Sequence, residues 1–505
     1  MTTVSDRAKT TLMRAAVVTV VVTLSGSLLG LVRDLLLARF FGADGGTDAF
    51  LVAWTVPETA FTLVVEGAMS FLMIPLFSRS LEQSRQVVAS TLPRVALVLV
   101  GASGAVALGA PVLVHLFAPG LADPALAITC TRLTSITVLT FGLAGYLSAA
   151  LRANHVFGAP ATIHLAYNIG ILSLMWTLHG RLGVVSAAAG VALGSVFMVL
   201  TQLPSFLRHV GLPRRWRLSG GAVTLGAFAP LAAYTLSRQA QVFVERFFGS
   251  SLPPGTISHL NYAQKVAQMP MLVALLVCTV TFPTLARNVA AGEADAARRR
   301  LEGDLRTVTA LILVAAAYLI AFAPQVVAVL LQHGQFTAAD AAATAAVMRV
   351  YALGLAGHAL VGVLSRAFFT GEKASWFPAI AMGIGLAVTA VLAIVAVPSL
   401  HVYAIAAANG AGITTTAVLL LVGLRTRIVA VSLPAVGAAT ARIALAAAGA
   451  GLVGWLAGRW LPAGWPAFVE AMAGGVVVLA VFAVLARLLG VNEVIQLARK
   501  VYSGR

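Results

Sequence analysis

Long apolar runs alternate along this chain with short breaks rich in charge, proline or glycine. A helix crossing a hydrocarbon core of roughly 30 Å needs about 20 apolar residues. On that measure the pattern predicts fourteen helical spans. The first six lie near 12–38, 49–76, 92–114, 126–150, 160–179 and 183–207. A second six lie near 223–248, 256–286, 306–332, 341–370, 376–397 and 400–424, and two more near 436–459 and 467–490. The first apolar run is too long for a cleavable signal peptide and continues into a span.

Composition agrees with the pattern. The chain has 505 residues, 60% hydrophobic and only 10% charged, against about 25% charged in a soluble domain. A net charge of +17 would suit nucleic acid, but its distribution points elsewhere. Arginine and lysine occupy alternate connections: the N-terminus, 79–94, 208–217, 287–306, 366–373, 425–427 and the C-terminus. By the positive-inside rule both termini are expected in the cytoplasm, as an even number of spans requires.

The chain also repeats itself. Arg39-Phe40-Phe41-Gly42 returns as Arg246-Phe247-Phe248-Gly249, and Pro75 with Arg79 as Pro283 with Arg287. Ala110-Pro111, Gly142-Leu143-Ala144-Gly145 and Pro160 are answered in order by Ala323-Pro324, Gly354-Leu355-Ala356-Gly357 and Pro378. The offset grows from 207 to 218 residues, as small insertions would make it. Copies separated by six spans keep one orientation, so the expectation is a transporter of two parallel lobes with its site between them. The predicted architecture is an all-α polytopic membrane protein of about fourteen helices. Residues 1–207 form an N-terminal lobe, 208–424 a C-terminal lobe, and 425–505 two extra helices with a cytoplasmic tail.

Ionisable groups inside spans are costly and point to function. Thr55, Glu58, Thr59, Thr62 and Glu66 share one helical face on the second span. Tyr234, Ser237, Arg238, Gln241 and Glu245 do so on the seventh, and Asn261, Gln264, Lys265 and Gln268 on the eighth. The first span adds Thr23, Ser27 and Arg33-Asp34. Four polar helices are best placed around a wet, shared cavity; the alternative is interhelical hydrogen bonding that holds the bundle together. Asp48, at the start of the second span, is either part of that cavity or an N-cap. Pro57, Pro75, Pro270 and Pro283 predict bent helices.

Other chemistry has little support. Cys130 and Cys278 both fall in spans and read as packing residues. The nine histidines show no metal-ligand spacing and no phosphate-binding G-x-x-x-x-G-K-[ST] loop occurs, so neither a metal nor a bound cofactor is expected. External connections nearly free of acid argue against a membrane glycosyltransferase or acyltransferase, which needs acid–base groups there.

Gly30-x-x-Arg33-Asp34, Ala38-Arg39-x-Phe41-Gly42-Ala43, Thr47-Asp48-Ala49-Phe50, Pro57 and Glu66-Gly67-Ala68 resemble the N-terminal signature of the MurJ/MviN lipid II flippases. Glu245-Arg246, Ser251-Leu252-Pro253, Gly255, Tyr262-Ala263 and Phe282-Pro283 resemble that family's seventh and eighth helices. The resemblance covers almost the whole chain. It implies the fold of the MOP (multidrug/oligosaccharidyl-lipid/polysaccharide) exporters, MATE-like: two six-helix lobes around a cationic cavity, plus two helices forming a groove for a polyprenyl tail.

The implied substrate is undecaprenyl-pyrophosphate bearing the disaccharide-pentapeptide of peptidoglycan, moved across the bacterial cytoplasmic membrane by alternating access. Arg33, Asp48, Glu66 and Lys265 match substrate-binding positions, with Arg238 as a further donor. Ser27, Glu58, Phe61, Asn261, Gln264 and Gln268 are expected to line the cavity. Lys265 replaces a usual arginine and loses its bidentate fork. Ser27 and Phe61 stand where many members carry arginine, and Gln264 and Gln268 where they carry acids. A paralogue moving another polyprenyl-linked glycan, or a non-transporting scaffold of wall synthesis, therefore stays open. A drug-cation exporter would favour an acidic or aromatic cavity.

Membrane potential, a proton or a sodium ion would supply the drive, with Glu245 and Thr389 the candidates for ion coupling. Expected partners are the lipid-linked glycan, bilayer lipids and wall-synthesis proteins.

Overall fold

The computed structural model describes residues 25–77 except 27, 81–213, 228–272, 291–368 except 292, 375–427, 431–460 and 464–491. Ser27, Thr23, Cys278 and Pro283 lie outside them, as does the second half of the predicted eighth span. Every regular element described is helical, as the all-α polytopic reading expected. The chain divides into two compact units, Met1–Gly255 and Thr256–Arg505.

The first unit contains α1 (28–41), α2 (Gly45–Ala60), a π-helical stretch Phe61–Ala68, and α3 (Met69–Phe77). Then come α4 (Leu81–Phe117), α5 (Pro124–Thr134), α6 (Ile136–Ala153), the single turn α7 (Gly158–Ala161), α8 (Ile163–Leu182), α9 (Val185–His209) and α10 (Ala229–Ser250). The predicted fourth span is α5 and α6 taken together, Pro124–Ala153, joined at Ser135 with helical backbone. At the junction Ser103 Oγ donates to the Ser135 carbonyl (3.0 Å), and Ser135 Oγ donates back to Arg132 O (2.8 Å), so side chains replace part of the backbone ladder.

A core of Met69, Met73, Phe77, Tyr146, Leu147, Leu151 and Phe206 joins α3, α6 and α9. Its polar members are satisfied internally: Tyr146 shares a hydrogen bond with Thr91 (2.8 Å), and Ser148 donates to Gln202 (2.7 Å). Helices α8 and α9 approach at Gly170 and Gly194, where a Cβ on either would collide with the facing backbone.

The second unit contains α11 (Thr256–Ala267), α12 (Ala294–Ala321), α13 (Ala323–Leu331), α14 (Ala338–Phe368), α15 (Phe377–Arg427), α16 (Leu433–Arg459) and α17 (Ala467–Leu488). The predicted ninth span, 306–332, is corrected in two respects. Its helix starts at Ala294, on a turn where Arg298–Glu302 and Arg300–Asp304 pair at i,i+4. It also breaks at Phe322, because Pro324 in the first turn of α13 cannot continue the α12 ladder.

Helix α15 reverses at His401 (φ 49°, ψ −128°). Its halves run antiparallel, with Thr416 Oγ1 directed to Ala381 O (3.4 Å) and Thr389 packed on Gly412; these are the predicted eleventh and twelfth spans. Around Phe322 a core of Val314, Ile443, Ala446, Ala447, Ala450, Val478 and Phe482 fastens the two C-terminal helices to α12.

Nine helices among the described residues are long and apolar enough to cross a membrane. Helix α10 is long enough but carries Arg238, Glu245 and Arg246, which lower its hydropathy.

Gly170→Ala should destabilise the detergent-solubilised protein by about 1–3 kcal/mol, the cost of forcing a methyl into a filled contact. Gly180→Ala, on the same helix with open space around it, should be neutral or stabilising by about 0.5–1 kcal/mol. Thermal unfolding of the two variants side by side measures the contrast.

Candidate functional site

Three of the four predicted polar helices meet in the first unit. Arg33 is held on several sides. Its Nε and Nη2 both donate to Asp34 Oδ1 (3.0 and 2.9 Å), and Nη1 donates to Asn168 Oδ1 (3.3 Å). The guanidinium carbon lies 4.2 Å from the centre of the Trp54 ring, linking α1 to α2. Asn168 is itself fixed, donating to Gly26 O (3.1 Å) and His164 O (2.9 Å). Arg33 is therefore held in place and largely neutralised by Asp34, with 12% of its side chain exposed.

Asp48 is not the N-cap of α2. Asp44 is, accepting from the Thr47 amide (2.8 Å). Asp48 stands one turn further in, 4% exposed, and its Oδ2 accepts the Gly255 amide (2.7 Å). Gly255 has φ +91°, a conformation that side chains resist. Asp48 thus joins the start of α2 to the loop that follows α10.

Three threonines of α2 and the start of the π stretch direct their hydroxyl hydrogens into their own helix. Thr55, Thr59 and Thr62 each donate to the carbonyl four residues back, at Leu51, Thr55 and Glu58 (2.9, 2.8 and 3.1 Å). Such back-bonding, with Pro57 inside the helix, loosens the ladder just before the π stretch. A π turn is wider than an α turn, so the 3.6-residue period of α2 ends at Phe61. Glu58 is half-buried. Phe61 packs edge-on against Phe141 and His164, with centroids 5.2 and 5.4 Å away.

On α10, Arg238 is exposed, whereas Glu245 and Arg246 are 1% and 3% exposed. Arg246 Nε reaches Thr55 Oγ1 (3.5 Å), tying α10 to α2. The sequence marks Arg246 through the repeat and the family resemblance, without a place in the polar face of its helix. Its copy Arg39 is exposed, so the same tetrapeptide plays two parts. Asn168 and Trp54 were also missed; the available signal for Asn168 was a single amide in an otherwise apolar span.

In the second unit, α11 holds Asn261 buried and Gln264 and Lys265 half-buried, with Gln268 at the turn that ends it. The helix is anchored by His259, whose Nδ1 shares a hydrogen bond with Thr344 Oγ1 (2.9 Å) and whose Nε2 lies 3.9 Å from Asp340 Oδ1. Tyr262 packs edge-on to Phe336 beside it. Thr389 is 1% exposed and donates to Gly385 O (3.0 Å) within its own helix. Among the described residues no cluster of three or more His, Cys, Asp or Glu could hold a metal ion.

Known proteins resemble this arrangement throughout. A family model described as lipid II flippase MurJ matches residues 37–473. The lipid II flippase MurJ of Burkholderia cenocepacia is 27% identical over 382 residues, covering 72% of this chain and 74% of its own. The probable lipid II flippase MurJ of Rhizobium meliloti is 28% identical over 409 residues, covering 77% and 76%. Among solved structures, lipid II flippase MurJ in an inward closed conformation superposes with a TM-score of 0.79 at 22% identity, covering 94% of this chain and 99% of that one. An inward-facing MATE multidrug transporter of the MOP superfamily gives 0.67 at 14% identity, covering 82% and 98%. These two likenesses establish the fold.

Asp48→Ala leaves the Gly255 amide buried without its acceptor and should cost about 1–3 kcal/mol. Asp48→Asn keeps an acceptor oxygen and should recover most of that loss. Thermal melting of both variants in one detergent tests it, and an Asn variant as unstable as Ala would assign the effect to charge instead.

Proposed function

The chain belongs to the lipid II flippase MurJ family, and we propose from that membership that it moves undecaprenyl-pyrophosphate-linked disaccharide-pentapeptide from the inner to the outer leaflet. The observation that carries the reading is a family match running from residue 37 to 473, through both units. The family is one of lipid transporters, and its chemistry is movement without covalent change.

A pyrophosphate and peptide carboxylates cannot enter hydrocarbon unaided, whereas a polyprenyl tail can stay in it. The head group therefore needs fixed polar partners across the membrane, and we assign Arg33, Lys265 and Arg238 to it as cations. Arg33 already has Asp34 as counter-ion, so binding an anionic head group there is an exchange of partners and not the filling of an empty charge. Such an exchange favours release as well as capture. Glu58, Phe61, Asn261, Gln264 and Gln268 are assigned to the walls of the path, with Ser27 and Glu66. The alternation of basic connections supports an inner-membrane location with both termini in the cytoplasm. About fourteen spans, as predicted, would fit that orientation. Wall-synthesis proteins are candidate partners beside the lipid substrate and the bilayer.

For the drive, we assign Glu245, buried in α10, to proton response or to structure ahead of sodium binding, because Thr389 is the one polar residue of an otherwise Ala/Val/Leu stretch and leaves a sodium ion few oxygen ligands. A second reading, transport of another polyprenyl-linked glycan, is favoured by Phe61. Where many members carry an arginine, this chain has a ring packed on Phe141 and His164.

The test uses cells whose own lipid II flippase can be shut off. Expression of this chain should restore lipid II at the outer face, and Arg33→Ala should not. Because Arg33→Ala strands Asp34, the neutral pair Arg33→Gln with Asp34→Asn is the companion variant; it should reach the membrane and still fail. No restoration by the native chain, despite confirmed insertion, would overturn lipid II as cargo and favour the second reading.

Coupling is measured separately. Glu245→Gln should flatten any pH dependence of transport, and a profile identical to the native one would remove Glu245 from the coupling step.

A further inference from the structure

A cavity of about 550 Å³ lies within the second unit between α12, α14 and α16. Its lining is apolar, including Leu313, Ala317, Leu353, Ala448 and Trp455, with one ionisable residue, Arg349. That size is in the range of pockets that hold small ligands, about 300–1,000 Å³. No residue of α17 lines it, which separates it from a groove between the two C-terminal helices.

Arg349 is eleven residues into α14, or roughly 16 Å along its axis, well inside a membrane span. Its Nε donates to the Ile320 carbonyl (3.1 Å), which fixes the guanidinium at the cavity wall. No carboxylate pairs with it among the described residues. A cation at this depth needs a counter-charge or water, and an apolar cavity offers little room for water's hydrogen bonds. The rim fixes the direction of access. Leu353 and Leu452 are 72% and 57% exposed there, and in a membrane such leucines face lipid chains. An occupant that neutralises Arg349 and suits the lining therefore carries an anion next to a hydrocarbon chain, and it enters from the bilayer.

We propose that this cavity binds an anionic phospholipid of the surrounding membrane, with its phosphate on Arg349 and one acyl chain against α12 and α16. Arginine suits the role because its planar fork meets phosphate oxygens while Nε keeps its own carbonyl. The site is independent of which lipid-linked glycan the protein moves, since binding is read without transport.

The experiment is native mass spectrometry of the full-length protein, delipidated and then titrated with phosphatidylglycerol or phosphatidylcholine of identical chains. One phosphatidylglycerol should be retained about tenfold more strongly, the effect of one charge-assisted hydrogen-bonded contact. Arg349→Gln keeps a donor for Ile320 O and should erase the preference. Arg349→Lys should keep part of it. Ala448→Trp, at an exposed lining position, leaves Arg349 in the sequence while filling part of the cavity and should remove the retained lipid altogether. Equal retention of both lipids by the native chain would overturn the proposal, as would unchanged preference in Arg349→Gln or unchanged retention in Ala448→Trp. Displacement of phosphatidylglycerol by equimolar undecaprenyl phosphate would also overturn it, by assigning the cavity to the transported class of lipid.

Discussion

Inside hydrocarbon a polar group finds its partner in the protein or is not tolerated, and the local geometry of both units follows from that constraint. Arg33 is held by Asp34 and Asn168, Asp48 by the Gly255 amide, Arg246 by Thr55, and Arg349 by the Ile320 carbonyl. Each bond joins a functional or candidate side chain to a neighbouring helix, loop or backbone carbonyl. The polar residues are thus also joints of the bundle. Helix–helix contact itself, with no hydrophobic drive between helices in lipid, rests on small residues such as those at Gly170 and Gly194.

Much of this was legible in the sequence because the bilayer imposes a simple length and polarity rule. The spans, the hairpin at 400, the membrane-embedded charge at 33 and the family signature all follow from local composition and motif. What was not legible depends on tertiary partners. Nothing in the string Thr47-Asp48 says that Asp44 caps the helix while Asp48 reaches a loop more than two hundred residues away. The break at Phe322 could be inferred from Pro324. The contact at Ser135 could not, because it is a serine of another helix that donates to the carbonyl. The single helical period of the second span is not kept throughout, since the stretch Phe61–Ala68 is π-helical.

The repeat shows the same limit from another side. Two copies of Arg-Phe-Phe-Gly predict two equivalent turns, yet Arg39 is exposed while Arg246 is buried against α2. Similarly, Ala110-Pro111 lies within the unbroken α4, whereas Ala323-Pro324 starts a new helix. Duplicated sequence preserved the helices' order but not their environments.

Phe61 carries this argument into specificity. An arginine there would add a cation to the unit that holds Arg33; the phenyl ring instead closes a cluster with Phe141 and His164, and Phe141 in turn packs on Tyr167. The exchange lowers the positive charge available to a pyrophosphate and raises the packing of α2 against α6 and α8 at the point where the π stretch begins. Arg33 sits beside its own acid, so on the proposed reading its attraction for an anionic head group is modest and the other assigned contacts must contribute more of the selection. A carrier that must release its load on the far side of the membrane gains from such weak holding, since tight capture by several unpaired arginines would slow the exit step.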